Sequence, residues 1–158
     1  MKARLAQPDS GFWPRWGPPA LVLAGAIGLA VAVLAGQGWD PMAFVRLGTR
    51  YGQGLRNGTI GYDGQFVYQI ALRPLNAAPY LDIPAYRYQR ILYPIAAGVA
   101  GLGQPALIPW TLIVLNVLAL AVGTAAMGDL LAGQGLSRWY AVTVGLFAGQ
   151  LVSLRLDV

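Results

Sequence analysis

The feature that most constrains the fold is an apolar run from residue 106 to 127, ALIPWTLIVLNVLALAVGTAAM, which contains no ionisable side chain. A helix needs about 20 such residues to cross the hydrocarbon core of a bilayer. A second uncharged run lies at residues 20 to 35, and with its flank it predicts a first span at residues 20–36. Only 11% of the chain is charged, against roughly 25% in soluble domains. The sequence therefore predicts an all-α membrane protein.

Two further hydrophobic segments, residues 91–103 and 139–154, bring the expected number of transmembrane helices to about four. The Gly and Pro residues between 101 and 105 predict a turn, because an unbroken helix through both neighbouring runs would overshoot the bilayer. We expect a single membrane domain, residues 1–158, in which residues 91–156 hold the last three hydrophobic segments.

The first 19 residues predict the orientation of the chain. Residues 1–19 are basic and carry Pro and Trp, so the positive-inside rule makes them a cytoplasmic tail. The polar stretch 37–90 then becomes a long extracytoplasmic loop. A cleaved signal peptide is the alternative to a first span, because Val33 and Ala35 are small residues of the kind a peptidase prefers. The long leading tail, with its Pro and Asp, favours a retained span.

The 37–90 loop has the length of a functional segment rather than a simple connection. Two amphipathic stretches, residues 41–52 and 66–75, predict short helices lying along the membrane interface. The loop is also basic, against the positive-inside rule, and an anionic partner at the outer headgroups would explain this. Arginines that only anchor the loop to membrane lipid phosphates are the alternative. The arginines concerned are Arg46, Arg50, Arg56, Arg73, Arg87 and Arg90.

Composition excludes several kinds of site. The chain has no cysteine and no histidine, which rules out His/Cys zinc sites, thiol catalysis and Ser-His-Asp triads. The arginines are spread between hydrophobic segments and form no basic face, so we expect no nucleic-acid partner. Arginine is instead suited to planar, bidentate contact with phosphate or carboxylate.

Two aspartates and two arginines of the loop are candidates for chemistry. Asp63 precedes Gly64 and is expected either to close a turn as the N-cap of a helix starting near Gln65 or to face a substrate. Asp82 precedes Ile83 and Pro84, and this order favours an N-cap role. If the chain from residue 85 is helical, Arg87 and Arg90 share a face and form a paired guanidinium site.

The string GYDGQFVYQIALRPL, followed by YRYQRILYP, resembles the first outer loop of bacterial membrane glycosyltransferases of the C superfamily, including mannosyltransferase-like members. The resemblance covers roughly residues 20 to 158. In those enzymes the loop carries an acidic residue in a motif of the form aromatic-Asp-x-x-aromatic-Tyr. Tyr62, Asp63 and Phe66 stand in the matching places, with Tyr68 as a further candidate.

The resemblance implies transfer of a sugar from a polyprenyl-phosphate donor to a hydroxyl acceptor, at the outer face of the bacterial inner membrane. Asp63 would be the catalytic base or a ligand of a divalent metal ion. Arg87 and Arg90 would hold the lipid phosphate. The other substrate-binding candidates are Tyr62, Gln65, Tyr68, Asp82 and Tyr88. The tyrosines are equally explained as a membrane-interface belt.

The resembled enzymes have eight or more spans, so we expect this chain to be an N-terminal portion that needs a C-terminal half or a partner membrane protein. The rival interpretation is a noncatalytic membrane protein: a remnant, an accessory subunit or a small transporter component. Gly145 and Gly149 have the spacing of a helix-packing motif, which does not distinguish these functions. Transport would be favoured by an ionisable residue in the middle of a span, and the sequence has none there.

Overall fold

The computed structural model describes residues 12–147, and every regular element in that range is helical. The α-helices are α1 (Phe12–Gly36), α2 (Thr49–Gly52), α3 (Gly64–Leu72), α4 (Pro84–Arg87), α5 (Leu92–Ala100), α6 (Ile108–Gly133) and α7 (Ala141–Gly145). Short 3₁₀ helices cover Pro41–Phe44, Ala78–Tyr80, Tyr88–Arg90 and Arg138–Tyr140. The all-α prediction is confirmed for this part of the chain.

Within the described range, two helices, α1 and α6, are long and apolar enough to cross a membrane. Only 28% of the most apolar stretch of each is buried, whereas the core helix of a soluble protein is mostly buried. Helix α1 begins earlier than the predicted span, at Phe12, and runs through Pro18 and Pro19. Each proline removes one backbone donor and disfavours helix locally, which is why the sequence predicted a tail there.

The segment 91–103 does not form a helix of spanning length. Helix α5 has nine residues, which at 1.5 Å per residue is roughly half of the 30 Å hydrocarbon thickness or less. The predicted turn after it is present, since Leu102 and Gly103 both adopt left-handed backbone angles. The prediction of four spans is therefore not confirmed. Most of the fourth predicted segment, beyond residue 147, lies outside the described residues.

The predicted interfacial helices are shorter than the sequence pattern suggested. Residues 41–52 form the 3₁₀ helix Pro41–Phe44 and helix α2, separated by Arg46 at a left-handed φ of 49°. A non-glycine residue in that region ends helical hydrogen bonding. The second pattern, residues 66–75, corresponds to α3, which starts earlier and stops at Leu72.

The chain divides into two compact units. The loop unit is Leu34–Leu115, and the helical unit comprises the described residues of Met1–Val33 and Asn116–Val158. In the loop unit, α3 contributes to two apolar clusters. The first cluster contains Val45, Tyr68, Ala71, Ala97, Ile108 and Leu112, and the second contains Phe66, Ile70, Ala77 and Leu81. Burial on both sides fixes α3, and with it Asp63 at its start.

Helix α3 also lies directly against α5. A Cβ atom added at Gly98 would be 2.5 Å from the carbonyl oxygen of Ala71, so only glycine fits there. In the helical unit, Gly145 has the same role, because an added Cβ would overlap the side chains of Thr124 and Val22. Each unit thus has a glycine at a close helix contact. Gly98 lies against backbone atoms, whereas Gly145 lies against side chains.

Candidate functional site

Asp63 occupies the N-cap position of α3, as its sequence context predicts, but its side chain makes no capping hydrogen bond. Instead Oδ1 accepts a hydrogen bond from Nη2 of Arg87 at 2.9 Å. The Asp63 side chain is 65% exposed, and Oδ2 has no protein donor among the described residues. One oxygen is therefore oriented by the protein while the other faces solvent.

Arg87 is the centre of the site. It donates from Nε and Nη2 to the two carboxylate oxygens of Asp82, both at 2.8 Å, in addition to its bond to Asp63. Its guanidinium lies 4.2 Å from the ring centroid of Phe66, which belongs to the second apolar cluster. A bidentate carboxylate pair and a ring face together fix this side chain, which is 16% exposed.

The Asp82 carboxylate does not act as the predicted N-cap. The N-cap residue of α4 is Ile83, and Oδ1 of Asp82 accepts a hydrogen bond from the Ile83 amide at 2.7 Å. That contact spans one peptide unit and leaves both oxygens available to Arg87. The order Asp-Ile-Pro therefore aims the carboxylate at Arg87 rather than at the helix end.

The charges in this cluster support one another. The hydrogen bond from Arg87 holds the pKa of Asp82 below its ordinary value of 3.8, against the opposing effect of burial. The same hydrogen bond raises the pKa of Arg87 above its ordinary range, with a smaller contribution from Asp63. Asp82 and Arg87 are therefore both charged at neutral pH.

The two arginines of the predicted pair meet at one tyrosine. Arg87 and Arg90 each lie 5.4 Å from the ring centroid of Tyr86, and Nη2 of Arg90 donates to the Tyr86 hydroxyl oxygen at 3.1 Å. Arg90 is exposed and has no carboxylate partner in the part of the chain that the structure describes. Arg90 therefore has more donors available to an anion than Arg87, whose Nε and Nη2 are bonded to carboxylates and whose Nη1 is not.

The predicted tyrosines have different environments. Tyr62 is exposed beside Asp63. Tyr88 donates its hydroxyl proton to the carbonyl oxygen of Pro74 at 2.9 Å and so links two loop segments. Tyr68 is buried in the first apolar cluster, where burial raises the pKa of its hydroxyl and the nearby Arg73 opposes that shift. Tyr62 is the tyrosine placed next to the exposed carboxylate.

Gln65 is almost fully buried and both ends of its amide are engaged with backbone. Oε1 accepts from the amide of Gly48 at 3.0 Å, and Nε2 donates to the carbonyl oxygen of Ile60 at 2.6 Å. These bonds hold the two ends of the 48–61 segment together and link them to α3. The predicted substrate contact of Gln65 stays a prediction, and its hydrogen bonds give it a structural role.

The sequence interpretation missed Gln69, one helical turn after Gln65. Its side chain is buried, yet Oε1 has no hydrogen-bond partner among the described residues. Gln69 forms part of the wall of a cavity of about 280 Å³. The sequence feature that could have identified Gln69 is its spacing of four residues from Gln65, which places both glutamines on the same face of a mostly apolar helix.

Asp63 and Asp82 converge on the Arg87 guanidinium. No group of three or more Asp, Glu, His or Cys side chains with metal-ligand geometry occurs within residues 12–147. A divalent ion at this site would therefore need ligands beyond these two carboxylates, such as phosphate oxygens of a substrate.

Comparison of the chain with protein-family models, curated proteins and solved structures finds no match.

Proposed function

We propose that the chain is the membrane-embedded part of a glycosyltransferase that moves a sugar from a polyprenyl-phosphate donor to a hydroxyl acceptor. The observation that carries the proposal is the geometry of Asp63. One carboxylate oxygen is fixed by Arg87, and the side chain is 65% exposed. A base must be oriented and must still be reachable by the hydroxyl that it deprotonates, and Asp63 meets both conditions.

Arg90, and the Nη1 group of Arg87, would receive the lipid phosphate. Departure of a phosphate leaves negative charge, which guanidinium groups stabilise. Arg87 already donates three hydrogen bonds to Asp63 and Asp82, so its main role would be to position Asp63. Tyr62, next to the base, would contact the sugar.

The proposal places the loop unit at the outer surface of a bacterial inner membrane, with the N-terminus in the cytoplasm. Helices α1 and α6 would cross the bilayer, and the segments at 91–103 and 139–154 would complete four membrane segments. The apolar surface left uncovered on α1 and α6 supports lipid contact, because a large exposed apolar face marks an interaction surface.

The test is sugar transfer in native membranes that contain the full chain with any partner membrane protein. Radiolabelled polyprenyl-phosphate sugars would serve as donors. We expect Asp63→Asn to lower chain-dependent transfer by at least about 100-fold, the usual contribution of a general base. Asp40→Asn is the matched control, since Asp40 caps the 3₁₀ helix Pro41–Phe44 and Asn is an equally good cap. Equal losses in both variants, or none in either, would reject the proposal.

A noncatalytic role as an accessory membrane protein is the second candidate. The observation in its favour is that the donors of Arg87 are mostly satisfied by protein carboxylates rather than open to a phosphate. In that case the cluster stabilises the loop unit. Arg87→Met would then lower thermal stability, and Asp63→Asn would change no transfer activity of the membranes.

A further inference from the structure

Helix α6 carries a carboxamide without a partner at the middle of its apolar run. Asn116 lies halfway along the uncharged residues 106–127. Its side chain is exposed and makes no hydrogen bond with any residue in the described part of the chain. The two threonine hydroxyls of α6 differ, because Thr111 and Thr124 donate to backbone carbonyl oxygens at 2.8 and 2.7 Å. Asn116 is therefore the unpartnered amide of this helix.

A position inside the bilayer makes the missing partner of Asn116 costly. Lipid tails supply neither donors nor acceptors, so an unpaired polar group in hydrocarbon costs free energy that water would otherwise offset. Long Lys and Arg side chains reach the headgroups from within a span, but the short Asn side chain at the middle of α6 does not. In membrane proteins such amides hydrogen-bond across helices. Asn116 therefore requires a polar group on another helix at the same depth.

A second copy of the chain supplies a polar group at that depth. Copies of a membrane protein insert in the same orientation, so Asn116 of each copy lies at the same level of the bilayer. Two parallel α6 helices related by a twofold axis along the membrane normal bring identical residues together. A carboxamide has N–H donors and a carbonyl acceptor. Each Asn116 amide can therefore donate to the other and accept from it.

Two small residues beside Asn116 permit the close approach that this contact needs. Ala119 and Gly123 follow at i+3 and i+7 and are both exposed. A Cβ added at Gly123 meets no atom of the described residues within 4 Å, so packing within the chain does not require glycine there. Small residues allow two membrane helices to approach closely. The short Asn side chains of two copies meet only at such a separation.

We propose that α6 mediates a parallel homodimer in the membrane, in which the Asn116 amides of two copies exchange hydrogen bonds across the twofold axis. Ala119 and Gly123 lie at the same contact. The inference rests on α6 crossing the bilayer, as the proposed function also does, and it is independent of the transfer reaction. The Asp63 cluster takes no part in it.

The test uses the full chain in phosphatidylcholine vesicles. Because the chain has no cysteine, Gln134→Cys gives a single labelling site, exposed just beyond the end of α6. One population carries a donor dye and the other an acceptor dye, and energy transfer is measured as lipid is added. We expect energy transfer above the level of random mixing, with the concentration dependence of a dimer. Flotation of the chain with the vesicles reports membrane insertion separately.

Asn116→Leu should weaken dimerisation by about tenfold, within the roughly 3- to 30-fold range of interhelical hydrogen bonds in membranes. Asn116→Gln keeps the amide and should weaken it by about threefold or less. Val114→Leu is the control, because Val114 is an exposed apolar residue on another side of α6. Gly123→Leu meets no described atom of its own chain but separates the two helices, so it should also weaken dimerisation.

A chain that floats with the vesicles but shows only random energy transfer would overturn the proposal and leave Asn116 to a helix of a partner membrane protein. Equal association of Asn116→Leu and Val114→Leu would also overturn it. So would equal losses in Asn116→Gln and Asn116→Leu, because the amide would then not carry the contact. A chain that does not float would reject the membrane placement of α6 itself. None of these results depends on sugar transfer, so the Asp63 test remains a separate one.

Discussion

The two units of the molecule are stabilised in different ways. In the helical unit, the end of the short helix α7 meets the two long apolar helices at a small residue, where Gly145 lies against Thr124 of α6 and Val22 of α1. In the loop unit, helices α2 to α5 have nine residues or fewer, and polar side chains such as Gln65 and Arg87 link them. Short helices are marginal alone, so the loop unit depends on specific hydrogen bonds. This dependence places oriented polar groups where chemistry can use them.

The largest expected effect concerns the glycine contacts. Gly98→Ala should destabilise the chain by about 2–3 kcal/mol, because the new methyl group meets the Ala71 carbonyl oxygen and backbone cannot rotate away. Gly145→Ala should cost less, about 1–2 kcal/mol, because its neighbours are side chains. Thermal unfolding in detergent micelles measures both. Gly28→Ala is the control, since nothing lies within 4 Å of the added methyl group. A larger loss for Gly145→Ala than for Gly98→Ala would reverse the comparison.

An intermediate effect is expected at the two arginine clusters. Arg87→Met should lower stability by about 1–2 kcal/mol, since Asp82 loses a bidentate partner while the exposed Asp63 contributes little. Arg138→Met in the helical unit should cost less than about 1 kcal/mol. Its partner Asp129 is 55% exposed, and the buried Nε of Arg138 already lacks an acceptor among the described residues. Denaturant titration of the two variants side by side decides the order. Equal losses of stability in the two variants would mean that the arginine–aspartate contacts stabilise the two units to the same extent.

The smallest effect is a pH dependence. The pKa of Asp82 is lowered in the folded chain, so the carboxylate stabilises the fold above its unfolded value near 3.8. That contribution is lost as the pH falls through the lower folded value. Asp82→Asn should therefore be less stable than the unaltered chain at pH 6, and the difference in stability should narrow as the pH falls below about 4. Unfolding temperatures measured from pH 3 to pH 6 follow the gap, and a constant gap would contradict this origin of the stabilisation.

Sequence patterns predicted the regular features better than the long-range ones. The long uncharged apolar runs identified α1 and α6, and the dipeptide Asp63-Gly64 identified the start of α3. The pattern did not show that Asp63 would contact Arg87, 24 positions later, since periodicity describes neighbours along one helix only. The short segment 91–103 was counted as a span, because a run of apolar residues does not by itself distinguish a span from a buried helix.

The hydrogen bonds of Gln65, which close the 48–61 segment at its base, have a practical consequence for labelling. Gly48 and Ile60 are bonded to its amide, and Thr49 exchanges hydrogen bonds with Thr59. The tip at residues 55–57 is exposed and lies beyond these bonds. Because lengthening a surface loop that is closed at its base costs little entropy, an epitope inserted at the tip leaves α3 in place. Antibody access to that epitope in intact cells would then report which side of the membrane the loop unit occupies.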